Sequence, residues 1–309
     1  MLKMNKKLIF FRIKWIFICS LFFSSSILSR TDINLSSNDK DKKIEPPKIG
    51  IFSMPITQQP GPFISFGQNV IDQGDLQFLF LADKFTGQNK QVVHLLPSLL
   101  YGLTENVSVL ASGLYIPVQR EAGLHSSGWG DSLLQFEYSF HQKDTYKYAE
   151  LGTAVVGFVF PTGSSHKVPS TGNGSPQFFV GTTLNRTYMD WYIFISPGTV
   201  QTTTNSDGRK FGNLYLYQGG LGKTLYVIDT KLLISALLEI DGTYTEKDKQ
   251  FGIPDPNSGG NTIYLTPSIW ISGKHLSVQF GVGFPIVQRL NGIQLKNYHL
   301  IAGSIAWVF

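Results

Sequence analysis

From Asp75 to Phe309 the chain repeats one pattern: segments of about 10 to 13 residues in which apolar and other side chains alternate, separated by turn chemistry. A period of two puts successive side chains on opposite faces of a strand, so the pattern demands two different surroundings for the two faces of one sheet. In His275 to Val287, Leu276, Val278, Phe280, Val282, Phe284 and Ile286 share one face, while Ser277, Gln279, Gly281, Gly283 and Pro285 share the other. In Asp131 to Phe140, Leu134, Phe136, Tyr138 and Phe140 alternate with Leu133, Gln135, Glu137 and Ser139. In Leu232 to Asp241, Leu232, Ile234, Ala236, Leu238 and Ile240 alternate with Ser235, Glu239 and Asp241. The segments 107–118 and 147–161 are apolar on both parities, and their facing is not fixed by pattern. No stretch shows a helical period, and no apolar run reaches the length of a spanning helix.

The connections alternate in length. Thr104-Glu105-Asn106, Arg186-Thr187 and Gly273-Lys274 are short, whereas Gln119–Gly128, Thr162–Ser175, Gln201–Phe211, Glu246–Gly260 and Gln288–Asn297 are longer and rich in Gly, Ser, Asn, Pro and Asp. About twelve strands fit between 75 and 309. An even strand count with alternately short and long connections is the pattern of outer-membrane barrels. The face that would be exposed is aromatic and aliphatic, where a water-facing sheet would carry Lys and Glu. Composition agrees: 15% of residues are charged, against about 25% in a soluble domain, and 13% are aromatic. The chain ends Ile305-Ala306-Trp307-Val308-Phe309, a strand with aromatics at the last and third-last positions. Such an ending resembles the signal read by the outer-membrane insertion machinery, with Trp307 and Phe309 as its residues. The reading is an all-β transmembrane antiparallel β-barrel of about 12 strands, closed by a C-terminal strand ending in Phe309. The soluble alternative, a β-sandwich, would need a second sheet over the apolar face.

The net charge of +5 suggests an anionic partner until it is located along the chain. Lys3, Lys6, Lys7, Arg12 and Lys14 precede the apolar run Trp15 to Phe23, and Ser24, Ser25, Ser26 and Ser29 follow as small residues suited to cleavage. Residues 1–29 read as an export signal. Without them 21 basic residues face 21 acidic ones, so no nucleic-acid partner is expected. Cys19, the single cysteine, lies within the signal. Residues 30–74 read as a polar leader ending in a Pro- and Gly-containing stretch, 49–74, with no regular period: a candidate lumen plug. Residues 75–309 form the barrel, placed in the bacterial outer membrane with its lipid as partner.

Several segments resemble the outer-membrane transporter family named for the meta-pathway of phenol degradation. They are Tyr101-Gly102-Leu103-Thr104-Glu105-Asn106, Gly128-Trp129-Gly130-Asp131-Ser132-Leu133, Phe160-Pro161-Thr162-Gly163, Leu265-Thr266-Pro267-Ser268 and Gly281-Val282-Gly283-Phe284-Pro285, in family order along 75–309. The resemblance implies passive transport of small hydrophobic or aromatic molecules and supplies no catalytic residues.

Read residue by residue, the chain offers little else. Gly219-Gly220-Leu221-Gly222-Lys223-Thr224 lacks the first Gly of a phosphate loop and a following helix. Asp255, Asn257 and Gly259 lack the full ligand set of a calcium loop. The six His have no metal-ligand spacing, and neither metal nor cofactor is expected. His125-Ser126-Ser127 and Ser164-Ser165-His166 are the candidate pairs for a lipid hydrolase, an enzyme reading placed behind a non-enzymatic one; a surface barrel acting through its loops is the other alternative. Because a carboxylate facing lipid is costly, Asp131, Glu137, Glu150, Glu239 and Asp241 are assigned to the lumen, with Tyr215, Tyr217 and Tyr264 as lumen aromatics.

Overall fold

A computed structural model describes residues 46–67 and 69–309. The export signal and most of the polar leader lie outside the described residues. Two short 3-10 turns, Gly50–Ser53 and Ile56–Gln58, come first. The strands follow: β1 (Leu76–Gly87), β2 (Lys90–Thr104), β3 (Val107–Ser112), β4 (Tyr115–Glu121), β5 (Leu124–Trp129), β6 (Ser132–Asp144), β7 (Tyr148–Phe160), β8 (Gln177–Tyr188) and β9 (Trp191–Thr202). Then come β10 (Arg209–Lys210), β11 (Leu214–Ile228), β12 (Leu232–Thr245), β13 (Lys249–Gln250), β14 (Ile253–Pro254), β15 (Gly260–Ser272), β16 (Leu276–Leu290) and β17 (Asn297–Val308).

Neighbours pair antiparallel in chain order, and β1 pairs with both β2 and β17, so the sheet closes into a 12-stranded barrel. Closure leaves the wall without an edge, which satisfies its backbone hydrogen bonds within hydrocarbon. One pair of wall strands is interrupted. At Gly113-Leu114 and Gly130-Asp131 the chain breaks, so that β3 pairs with β6 in the wall while β4 and β5 continue as a hairpin alongside the upper half of β2. The sequence pattern places a loop over 119–128. The structure makes it the tip of this hairpin, turning through positive φ at Ala122 and Gly123.

The two parities have the two surroundings the alternation requires. On β16, Val278, Phe280, Phe284 and Ile286 are exposed on the outer wall while Ser277 and Gln279 are buried inside. On β6, Phe136, Tyr138 and Phe140 face out and Gln135, Glu137 and Ser139 face in. The short turns after β2, β6, β8, β11 and β15 lie at the end where the amide of Phe309 donates to the carbonyl of Leu76 at 3.1 Å. Outer-membrane barrels keep that end on the periplasmic side. At the far end β1–β2 and β4–β5 also turn in two residues, but the connections after β7, β9, β12 and β16 are longer, and β10, β13 and β14 pair into a small separate sheet.

Tyr215 and Tyr217, assigned above to the lumen, lie on the outer wall instead. Both alternate with Leu214, Leu216 and Gln218, which face in and are buried. The reason is local: Gly219, Gly220 and Gly222 interrupt the pattern, so parity could not be carried through this strand. The Tyr217 ring lies over Gly242, its cross-strand partner, and its hydroxyl donates to Asn261 Oδ1 at 2.5 Å. An aromatic ring covering a strand glycine in this way stabilises the pair. Gly242→Ala forces the ring aside and is expected to cost about 1–3 kcal/mol. The check is the urea midpoint of the protein embedded in vesicles, followed by tryptophan fluorescence.

Candidate functional site in the barrel lumen

The irregular stretch before β1 lies inside the barrel. Its backbone forms no ladder, so its buried amides and carbonyls need partners elsewhere. The inward side chains of the wall and the main chain of its short turns supply them. Near the short-turn end the Ile51 amide donates to the Met189 carbonyl at 2.7 Å, and Ser53 Oγ donates to the Asp229 carbonyl at 2.8 Å. Ser272 Oγ donates to the Gln58 carbonyl at 2.7 Å. Deeper in, the amides of Phe63, Ile64 and Ser65 all converge on the Glu239 carboxylate, the latter two at 3.0 and 3.2 Å. Ser65 Oγ donates to Asp241 Oδ1 at 2.9 Å, and Thr266 Oγ1 donates to Asp241 Oδ2 at 3.0 Å. The Phe66 amide donates to Gln218 Oε1 at 3.2 Å, and Thr183 Oγ1 donates to the Phe66 carbonyl at 3.2 Å. The segment then returns: the amide of Asn69 donates to Glu137 Oε2 at 3.0 Å, and that of Ile71 to Ser108 Oγ at 2.9 Å. At Gly74 its amide meets the Gly102 carbonyl at 2.9 Å, back at the short-turn end.

Apolar contacts complete the seat. Ile51 and Met54 pack with Tyr192, Phe194, Leu233, Leu237 and Trp270 near the short-turn end. Phe63, Ile64, Phe66 and Ile71 join a larger inward cluster that includes Leu79, Leu100, Val155, Phe179 and Leu216. Phe66 is fully buried and meets Phe179 edge to face, with ring centroids 4.7 Å apart. Two glycines make room for it: a methyl group at Gly181 would lie 2.5 Å from the ring, and one at Gly198 2.7 Å. Gly281 leaves the same kind of room for Phe63, at 2.7 Å. Glycine within a strand often marks such a close approach. The lumen wall therefore holds a slot cut to an aromatic ring.

The residues singled out from the sequence fall in different places. Glu239, Asp241 and Glu137 are inward, buried and bonded to the N-terminal segment. Tyr264 is also inward; its hydroxyl accepts from Asn297 Nδ2 at 2.7 Å, and its ring packs edge-on to Phe85. Asp131 is buried at the interruption between β5 and β6, where it accepts from the amides of Gly163 at 3.0 Å and Asn173 at 2.9 Å. It clamps the outer loop 161–176. Asp131→Ala leaves two amides without their acceptor at about 1–3 kcal/mol each. Tryptic cleavage after Lys167, within that loop, is expected to accelerate about tenfold or more, since a cost of about 1.4 kcal/mol already shifts loop opening tenfold.

Glu150 is a correction. It lies on the outer wall, opposite Lys143 on one side and Arg186 on the other, and is bonded to the Arg186 guanidinium. A carboxylate can face outward there because it sits two residues from the short-turn end, where charge meets headgroups and water instead of hydrocarbon. A shift of register between Ser139 and His141 also breaks the parity that would have been read across from β6. Trp307 and Phe309 are exposed on the outer wall.

Other polar groups also face inward. Asp83 and His94 pair at 2.9 Å across β1 and β2, and Ser98 and Ser112 meet at 2.5 Å across β2 and β3. The Ser126 hydroxyl turns inward toward Gln119 while its neighbour His125 is exposed on the opposite face of β5, so those two do not form a nucleophile–base pair. Gly219–Thr224 is part of strand β11. Among the described residues no group of three His, Cys, Asp or Glu is placed to share a metal ion.

No family model matches the chain, and no curated protein does. Solved structures do. An outer membrane channel from Pseudomonas putida F1 superimposes with a TM-score of 0.61 at 13% identity, over 78% of this chain and 97% of that one. The NanC porin matches with a TM-score of 0.46 at 9% identity, over 74% of this chain and 98% of that one, too distant to carry argument. At such identities the likeness is one of fold. Joined to the closed 12-stranded wall and its apolar outer face, it makes this chain a β-barrel of the bacterial outer membrane.

Proposed function

We propose that the barrel is a passive channel for small hydrophobic or aromatic molecules, gated by residues 46–74. The observation that carries the proposal is the ring slot formed by Gly181, Gly198 and Phe179, filled here by Phe66. A wall that accepts the ring of its own segment offers the same shape and apolar contact to the ring of a solute once the segment withdraws. A 12-stranded barrel lies between the small barrels filled by their own side chains and the 16–18-stranded porins, so the segment decides what space remains. Flux would follow a gradient, since the chain carries no nucleotide-binding motif.

The resemblance to the transporter family of phenol degradation supports the same solute class. The export signal at 1–29 and the aromatic strand end at Trp307 and Phe309 fit delivery by the barrel-insertion machinery. Glu239, Asp241, Glu137 and Tyr264 are the residues of the solute path in this proposal, with Asp131 holding the outer mouth. The test is conductance and uptake in bilayers and liposomes containing the full chain, with solutes bearing one aromatic ring compared against aliphatic ones of equal size. Ring-bearing solutes should enter faster and reduce ion conductance while they occupy the slot. Equal rates for both classes, or no flux of either, would overturn the reading.

A further inference from the structure

The outer wall carries a second feature, independent of the lumen. Near the short-turn end Tyr148 of β7 stands directly opposite Tyr188 of β8, and Trp191 of β9 directly opposite Lys223 of β11, the two pairs joined by the turn at 189–190. One residue pair nearer the middle of the wall, Lys143, Glu150 and Arg186 form a row across β6, β7 and β8. These groups interlock. The Arg186 guanidinium lies over the Tyr148 ring, 4.7 Å from its centroid, donates from Nη1 to the Tyr188 hydroxyl at 3.3 Å, and donates from Nε and Nη2 to Glu150. The Lys223 ammonium lies 5.0 Å from the centroid of Trp191. All of this faces outward, where most of the wall is aliphatic and aromatic; Leu184, Ile193 and Leu221 continue the same strands toward the middle.

A bare charge on the lipid face of a barrel is tolerated only near the interface, and aromatic residues gather at that depth. Three cations against one carboxylate leave the cluster with a net positive charge. Of the five N–H donors of Arg186, three are directed to Glu150 and Tyr188, leaving two for a further acceptor. We propose that this face binds an anionic glycerophospholipid, its phosphate oxygens between Arg186 and Lys223 and its acyl chains along Leu184, Ile193 and Leu221. Arginine suits a phosphate because its planar fork donates two bonds at once, and the aromatic floor holds the cations in place.

The full chain, purified in detergent, is mixed with dioleoylphosphatidylglycerol and bound lipid is counted by native mass spectrometry. Dioleoylglycerol, which lacks the phosphate, and glycerol 3-phosphate, which lacks the chains, are the comparisons. The proposal expects the phospholipid to be retained about tenfold more than either, and Arg186→Ala with Lys223→Ala to abolish that margin, while Lys249→Ala in the outer sheet leaves it intact. Equal retention of dioleoylglycerol, or unchanged retention by the double variant, overturns it. Binding of glycerol 3-phosphate as strong as that of the lipid would show a free-phosphate site and overturn it too. Should the double variant fail to reach the folded, heat-modifiable form, Lys223→Gln alone decides: a loss of about threefold supports the site and no loss overturns it.

Discussion

Glu239→Ala is expected to release the N-terminal segment from the lumen and convert a mostly closed barrel into a mostly open one. Three consecutive amides, those of Phe63, Ile64 and Ser65, end on this one carboxylate. Each buried donor left without an acceptor costs about 1–3 kcal/mol, so losing the three docking bonds weakens the seat by at least about 3 kcal/mol. That is roughly a hundredfold in the ratio of seated to withdrawn segment. The barrel ladder does not use this side chain, so the folded wall should survive. Single-channel recording would show the open fraction rising by about tenfold or more, with a smaller rise for Glu239→Gln, which keeps one acceptor oxygen. An unchanged open fraction in the alanine variant would mean that the segment is not a gate.

The second large effect concerns the ring slot. Phe66→Ala removes a fully buried ring from between Phe179, Gly181 and Gly198, and large-to-small changes of that kind cost about 3–5 kcal/mol. Gly181→Ala places a methyl group 2.5 Å from the same ring, an overpacking of about 1–3 kcal/mol. Either substitution alone should expose residues 46–74 to added protease from the short-turn side. Combined, they should add only in part: with the Phe66 ring gone the methyl group loses its two closest contacts, and only the approach to Phe179, at 2.9 Å, remains to be relieved. A double-mutant cycle on the protease-derived docking energies should return a coupling of about 1–2 kcal/mol in favour of the pair. Additivity would show that the two positions do not meet, and the slot would lose its meaning.

The wall was legible from the chain because a two-residue period leaves little freedom once both faces have a solvent. His275 to Val287 and Asp131 to Phe140 announce their parity, and the outer face of each follows directly. Where glycines or doubly apolar stretches interrupt the period, parity is lost. That is why the pattern places Tyr215, Tyr217 and Glu150 on the wrong face, while Glu239 and Asp241, two residues apart in a clean alternation, fall inward. The partner of those carboxylates was illegible for a different reason. It is a run of backbone amides, and every residue type carries one; the stretch from Phe63 to Ser65 holds no side-chain chemistry that names an acidic partner. The hint was indirect: a Pro- and Gly-containing segment without period, if buried, must find acceptors, and inward carboxylates without an obvious basic partner must find donors. The glycines at 181 and 198 were a similar hint of close approach, readable only once the approaching ring is known.

The path of residues 50–74 also sets what withdrawal must undo. The segment comes in beside the turns at Met189 and Asp229, reaches Glu239 at mid-height, and goes back to Gly102. It is a loop let in and out by a single mouth, held in mid-barrel by side chains of the wall and at the mouth by the carbonyls of Met189, Asp229 and Gly102, with no strand of two or more residues among its described residues. The wall need not unzip, and the chain need not thread through anything, for the lumen to empty. Opening and closing can therefore repeat on the time scale of loop motion, while the twelve strands stay as they are.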